Sequence, residues 1–215
     1  MFTGIVETCG IVTELDHRTS GLSLCVDVSG LGSVLDEGAS LCVNGVCLTA
    51  VRPSENQCFF DVIAETVRCT NFSDLRTGHR LNLERSMRPD SRFDGHFVQG
   101  HVDAVAVVDR VVESAEEQVL WLEHEDSIRP LIVPKGAVAI NGVSLTIAAV
   151  DGPRFSVALI PTTLERTNLS QLRPGDRVNI ETDILARTIF HQLKAWSEGG
   201  AADQLLSKMR QEGFA

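Results

Sequence analysis

Up to about residue 183 the apolar positions fall in short β-compatible runs separated by Gly, Asn, Asp and Pro, with little of the three-to-four spacing of a helix. The Asn44-Gly45 and Asn141-Gly142 dipeptides each sit between two such runs. They predict tight hairpins, because a type I′ turn requires positive φ at both central residues. A tight hairpin makes Cys42 and Cys47 cross-strand neighbours, and likewise Ala139 and Ser144. Gly78-His79-Arg80 and Gly175-Asp176-Arg177 predict turns feeding strands at residues 81–84 and 178–181. Short helices are predicted at residues 66–75 and 163–172. From Ile184 to Trp196 the pattern changes. Leu185, Ile189, Phe190, Leu193 and Trp196 recur at helical spacing after Asp183, a residue suited to an N-cap.

The strand pattern is written twice. DVIAETVRCTNFSDLRTGHRLNLE at residues 61–84 returns 97 positions later as ALIPTTLERTNLSQLRPGDRVNIE at residues 158–181, with 11 of 24 positions identical. Phe2-Thr3-Gly4-Ile5-Val6-Glu7 answers Val98-Gln99-Gly100-His101-Val102-Asp103, and the two Asn-Gly hairpins answer each other. A repeat of this length is domain-sized, since solenoid units run about 20–50 residues. Residues 85–95, a polar stretch that includes Pro89, Asp90, Asp94 and Gly95, read as the linker. The predicted fold is mainly β: two tandem homologous small closed β-barrels of Greek-key type with short helices, plus a C-terminal amphipathic helix. The domains are residues 1–96, 97–183 and 184–215, the last a helical oligomerisation element in which residues 204–209 also suit a helix.

Charge narrows the partners. The net charge is -10 and no basic stripe is present, which argues against nucleic acid. No apolar run approaches the ~18 residues of a membrane helix, and the N-terminus lacks signal-peptide character, so a cytoplasmic location is expected. The six cysteines all lie in the first copy without a C-x-x-C pair, and His96 and His101 are spaced for no helix face, so neither metal nor disulfides are expected. Nucleotide-binding and hydrolase signatures are missing, and no cofactor is expected.

What remains is a duplicated pocket, expected at the barrel-entry segments (Gly4, Ile5 and Val6; Gly100, His101 and Val102), the hairpins and the Thr-rich stretches. Glycine lets backbone approach a flat ligand closely. The hydroxyls of Thr49, Thr66, Thr146 and Thr163 suit a polyol or a heteroaromatic edge. On residue type alone, Cys47 reads as a core thiol, His101 as a turn histidine, Asp183 as a helix cap, and Ser40 and Lys135 as exposed polar residues. Cys9, Cys25, Cys58 and Cys69 read as core thiols.

MFTGIVE, NGVCLT, QGHVD, NGVSLT, LIPTTLERTNL and NIETDILA together resemble the riboflavin synthase family of tandem lumazine-binding domains, over both repeats in order. The resemblance implies a transferase that dismutates two 6,7-dimethyl-8-ribityllumazine molecules, two per site. It also implies a homotrimer in which the first barrel of one subunit meets the second of its neighbour, and association with lumazine synthase. A non-catalytic lumazine or flavin carrier of the same fold is the competing reading. The family often has glycine where this chain has Ala104 and Ala106, positions expected to lie past the ligand.

The resemblance gives catalytic roles to His101, Ser40, Cys47 and Asp183. It places Ser40 and Cys47 in the first barrel's site and His101 and Asp183 near the second's. Substrate contacts are implied for Cys47, Leu48 and Thr49; for Asp61, Val62, Ile63, Ala64, Glu65 and Thr66; for Lys135, Ser144, Leu145 and Thr146; and for Ile160, Pro161, Thr162, Thr163, Leu164 and Glu165. The copies differ at Ile5/His101, Ser40/Ala137, Cys47/Ser144 and Ser86/Asp183. Two identical substrates can play different parts only where their sites differ.

Overall fold

The computed structural model describes residues 1–113 and 117–198, with Lys208 beyond them. Contacts divide the chain into Met1–Asp183 and Ile184–Ala215. In the first unit, strands β1 (Thr8–Arg18), β2 (Gly21–Asp27), β3 (Ser40–Val43), β4 (Val46–Thr49), β5 (Gln57–Ile63) and β6 (Arg80–Arg85) form one antiparallel sheet in the order β4-β3-β6-β1-β2-β5. Strands β7 (Ala104–Glu113), β8 (Gln118–Glu123), β9 (Ala137–Ile140), β10 (Val143–Asp151), β11 (Arg154–Leu159) and β12 (Arg177–Thr182) repeat that order as a closed barrel. Alternating apolar positions fill each interior: Val12, Leu24, Leu41, Phe60 and Leu83 in one, Ala106, Leu120, Ile140, Phe155 and Ile180 in the other. Ala104 and Ala106 both belong to that second core.

The Asn-Gly hairpins form as the sequence requires. Asn44 and Gly45 stand at φ 50° and 84°, Asn141 and Gly142 at 46° and 79°. Cys42 pairs with Cys47 and Ala139 with Ser144. Closure differs between the copies. β10 runs on past the hairpin to pair with β11 from Ile147 to Asp151. β4 stops at Thr49, and only the bridge between Val51 and Phe59 ties its end to β5. Arg52 at φ 49° precedes Pro53, which donates no hydrogen bond and restricts its neighbour, so the strand cannot continue.

The short helices begin and end earlier than their sequence suggests. α1 (Ala64–Cys69) and α2 (Pro161–Arg166) each give way to a 3-10 turn, Asn71–Asp74 and Asn168–Gln171. Thr70 and Thr167 stand extended between the two elements, and their hydroxyls accept from the N–H of Phe72 and Leu169. Starting α2 at Pro161 uses a residue that has no N–H to leave unbonded.

The second unit holds α3 (Ile184–Glu198), with Leu185, Ile189, Leu193 and Trp196 exposed. The helical reading of residues 204–209 falls outside the described residues, Lys208 excepted. Among the described residues no helix is long and apolar enough to cross a membrane.

Candidate functional site

The two entry segments cross between barrels. Phe2 and Val98, both fully buried, pair with each other, the Phe2 N–H donating to Val98 O at 2.8 Å. From this crossing each segment docks on the hairpin of the other copy. The N–H of Ser144 on β10 donates to Gly4 O at 2.8 Å, and that of Cys47 on β4 donates to Gly100 O at 2.9 Å. Val6 is buried in the second barrel's core and Val102 packs on the first's. The glycines at the entry thus meet protein. A Cβ on Gly4 would lie 2.6 Å from that of Ser144, and one on Gly100 2.6 Å from that of Cys47. The Asn-Gly turns also meet, a Cβ on Gly45 falling 2.8 Å from the N of Gly142. Around them Asn82 Nδ2 donates to Asn141 O and to Asn168 Oδ1, while Asn179 Nδ2 donates to Asn44 O. The turn tips are joints between barrels rather than walls of a pocket.

A buried carboxylate holds each segment. Glu84 on β6 accepts from the N–H and hydroxyl of Thr3 and from the N–H of Gly4. Glu181 on β12 accepts from the N–H groups of Gln99, Gly100 and His101. Burial pushes both carboxyls above the ordinary carboxylate range, against the pull of these donors.

The hairpin register collects the expected residues on two faces. Ser40 pairs with Thr49 and Cys42 with Cys47, so these four share one face of the first hairpin. The second presents Ala137, Ala139, Ser144 and Thr146. Asp61, Ile63, Ala64 and Glu65 are exposed and Thr66 half-buried; in the second copy Ile160, Pro161, Thr162 and Glu165 are exposed, with Thr163 and Leu164 half-buried. Leu145 is half-buried against the second core. Three expected contacts are corrected. Val6, Leu48 and Val62 are buried core residues, because alternate positions of a strand face the barrel interior. Cys9 and Cys69 are likewise not core thiols: both are half-buried, and all six cysteines are free.

His101 stands at this crossing. Its segment is held by Glu181 of the second barrel and by Cys47 of the first, so the exposed imidazole belongs to the junction rather than to the second barrel alone. A concavity of about 640 Å³ gathers Ile5 and Ser40 with Thr3, Glu84, Arg85 and linker residues including Met87 and Arg88. Cys47, His101 and residues 61–66 do not line it.

The residue that sequence reasoning missed is His96. Its Nδ1 lies 2.7 Å from Ser144 Oγ, and its N–H donates to Thr3 O. Nε2 is buried without a hydrogen-bond partner among the described residues. The only signal was its place at the boundary of the second copy, where the first copy has no residue to answer it. Burial lowers the His96 pKa, with the Asp183 charge opposing. A histidine whose pKa is lower folded than unfolded stabilises the fold above the unfolded value and loses that contribution as pH falls through about 6.5. Thermal unfolding followed from about pH 8 to about pH 5 is therefore expected to show falling stability, with a shallower fall in His96→Gln. Equal slopes would remove His96 as the source.

Lys135 is exposed in the left-handed region at φ 67°, where the first copy has Gly38 at 83°. Non-glycine residues held there cost about 1–2 kcal/mol, and such strain gathers at functional sites. Its N–H donates to Ile147 O, beside Thr146 of the second face. Among the described residues no three His, Cys, Asp or Glu side chains converge as metal ligands.

Comparison with known proteins agrees with this duplicated arrangement. The family model described as "Lumazine binding domain" matches residues 3–86 and 99–183. The chain is 35% identical to riboflavin synthase of Bacillus subtilis (strain 168) over 216 residues, covering 100% of both chains. It is 39% identical to riboflavin synthase of Mycobacterium bovis over 199 residues, 91% of this chain and 99% of that one. Among solved structures, LumP complexed with riboflavin superposes with a TM-score of 0.78 at 28% identity, over 85% of this chain and 99% of LumP.

Proposed function

The chain belongs to the lumazine-binding domain family, and from that premise we infer that it is a riboflavin synthase, a transferase acting on two molecules of 6,7-dimethyl-8-ribityllumazine. One molecule donates a four-carbon unit and the other accepts it, giving riboflavin and 5-amino-6-ribitylamino-uracil. The carbon and hydrogen of two substrates are those of the two products, so electrons are only redistributed between them. The observation that carries the reading is the pair of related but unequal hairpin faces, Ser40, Cys47 and Thr49 against Ala137, Ser144 and Thr146, joined through crossed entry segments.

In this reading His101 accepts a proton from the 7-methyl group of one lumazine, and a nucleophile (water, a ribityl hydroxyl or the Cys47 thiol) adds at C7 of the other. Ser40 and Asp183 complete the catalytic set. Thr49, Thr66, Thr146, Thr163 and the strained Lys135 serve the pyrimidine and ribityl groups. Holding two reactants in attack geometry supplies about 7–11 kcal/mol, against about 3–5 kcal/mol for one general acid or base. Positioning therefore dominates. Residues 1–96 and 97–183 are taken as the lumazine-binding domains, and residues 184–215 as the segment that assembles a cytoplasmic homotrimer.

The resemblance to LumP supports a second reading, a carrier that binds lumazine or flavin without converting it. The two separate on mixing the protein with 6,7-dimethyl-8-ribityllumazine and following absorbance. Growth of the riboflavin band is expected; tight binding with no conversion establishes the carrier.

A further inference from the structure

We propose that Glu181 is a positioning residue for His101, acting through the backbone of the crossed segment; this rests on the riboflavin synthase reading. The two carboxylate brackets correspond in the repeat but do not grip alike. Glu181 Oε1 accepts from Gln99 N–H at 2.6 Å, and Oε2 accepts from Gly100 N–H at 2.9 Å and from His101 N–H at 3.1 Å. In the first copy Glu84 reaches, among the described residues, Thr3 and Gly4. The N–H of Ile5, which answers His101, donates instead to the Thr3 hydroxyl at 3.3 Å. Gln99 stands where the first copy has Thr3 and brings no hydroxyl to that place. The carboxylate therefore holds the histidine's own backbone nitrogen, one bond from the Cα that carries the imidazole.

The geometry explains why so buried a carboxylate sits there. Glu181 is 2% exposed, and all three of its donors come from the segment that crosses to Cys47. Its loss releases Gly100 and His101 together, while Gly100 O remains bonded to Cys47. Near the reacting atoms a displacement of 1 Å costs up to about 10²-fold in rate.

A double-mutant cycle on the full chain tests this. Wild type, Glu181→Gln, His101→Ala and the double variant are compared for kcat in riboflavin formation and for lumazine affinity by fluorescence, with Glu84→Gln as the matched control. Glu181→Gln is expected to lower kcat by about 10²-fold in the wild-type background and by less than about twofold in His101→Ala, because residues acting as one unit are not additive. Glu84→Gln is expected to act by the same factor in both backgrounds. An equal loss from Glu181→Gln in both overturns the proposal. Where Glu181→Gln does not fold, Glu181→Asp, which keeps the charge and shortens the reach, takes its place in the cycle. Failure of both to fold shows a folding role and overturns the proposal as well. A wild-type protein that binds lumazine without turnover would sink the enzyme reading itself, a result distinct from an additive cycle in an active enzyme.

Discussion

Replacing His101 with alanine is expected to slow riboflavin formation by about 10²- to 10⁴-fold while leaving lumazine affinity nearly unchanged. The repeat supplies the reason. The first copy places Ile5 where the second places His101, so an apolar side chain already fits a segment of this geometry. The imidazole is exposed, and its removal leaves no cavity in the core. His101→Ile makes the two entry segments alike at this position and is the sharper form of the test. It should fold as wild type does and lose turnover to the same extent as alanine. Steady-state absorbance gives kcat, and fluorescence titration gives affinity. A purified variant with wild-type turnover would remove His101 from the mechanism.

Gly100→Ala is expected to lower stability markedly and to remove turnover as well. Gly100 sits at φ +78°, and an added Cβ meets the backbone N of Cys47 at 2.6 Å. Left-handed strain for alanine costs about 1–2 kcal/mol, and overpacking against backbone adds about 1–3 kcal/mol. At roughly 2–4 °C per kcal/mol for a chain of this size, the melting temperature should fall by about 4–20 °C. Gly32 is the control, because it has φ +69° and nothing within 4 Å of its added Cβ. Gly32→Ala should therefore show the strain cost alone. Equal melting temperatures for the two variants would mean that the crossing yields to accommodate the methyl group. Turnover in Gly100→Ala would then show that His101 needs no fixed segment.

Much of the fold was legible because it is specified locally and then repeated. Asn44-Gly45 and Asn141-Gly142 demand positive φ at both positions, which fixes the tight hairpins and the pairing of Cys42 with Cys47. The helical spacing of Leu185, Ile189 and Leu193 gives α3 without reference to the barrels. The contiguous segments assigned to the site were less exact. Leu48, between half-buried Cys47 and exposed Thr49, and Val62, between exposed Asp61 and Ile63, face the interior, because a strand turns alternate side chains to opposite sides. The continuity of β10, against the break at Arg52-Pro53 in the first copy, was visible only as a proline whose consequence depends on what β5 needs for pairing.

The sequence by itself determined the duplicated β-architecture, the hairpin turns, the terminal helix and the positions at which the copies differ. Period, turn chemistry and repeat identity are properties of neighbours along the chain. Tertiary structure alone decided that the entry segments exchange barrels, that Glu181 grips His101, and that His96 meets Ser144. A stretch such as Val98-Gln99-Gly100-His101 specifies only extended backbone with room at the glycine. Its destination is set by the pairing of Phe2 with Val98 and by a carboxylate some eighty residues away, Glu181 being 82 positions from Gln99. Contacts of that separation leave no periodic trace in the chain.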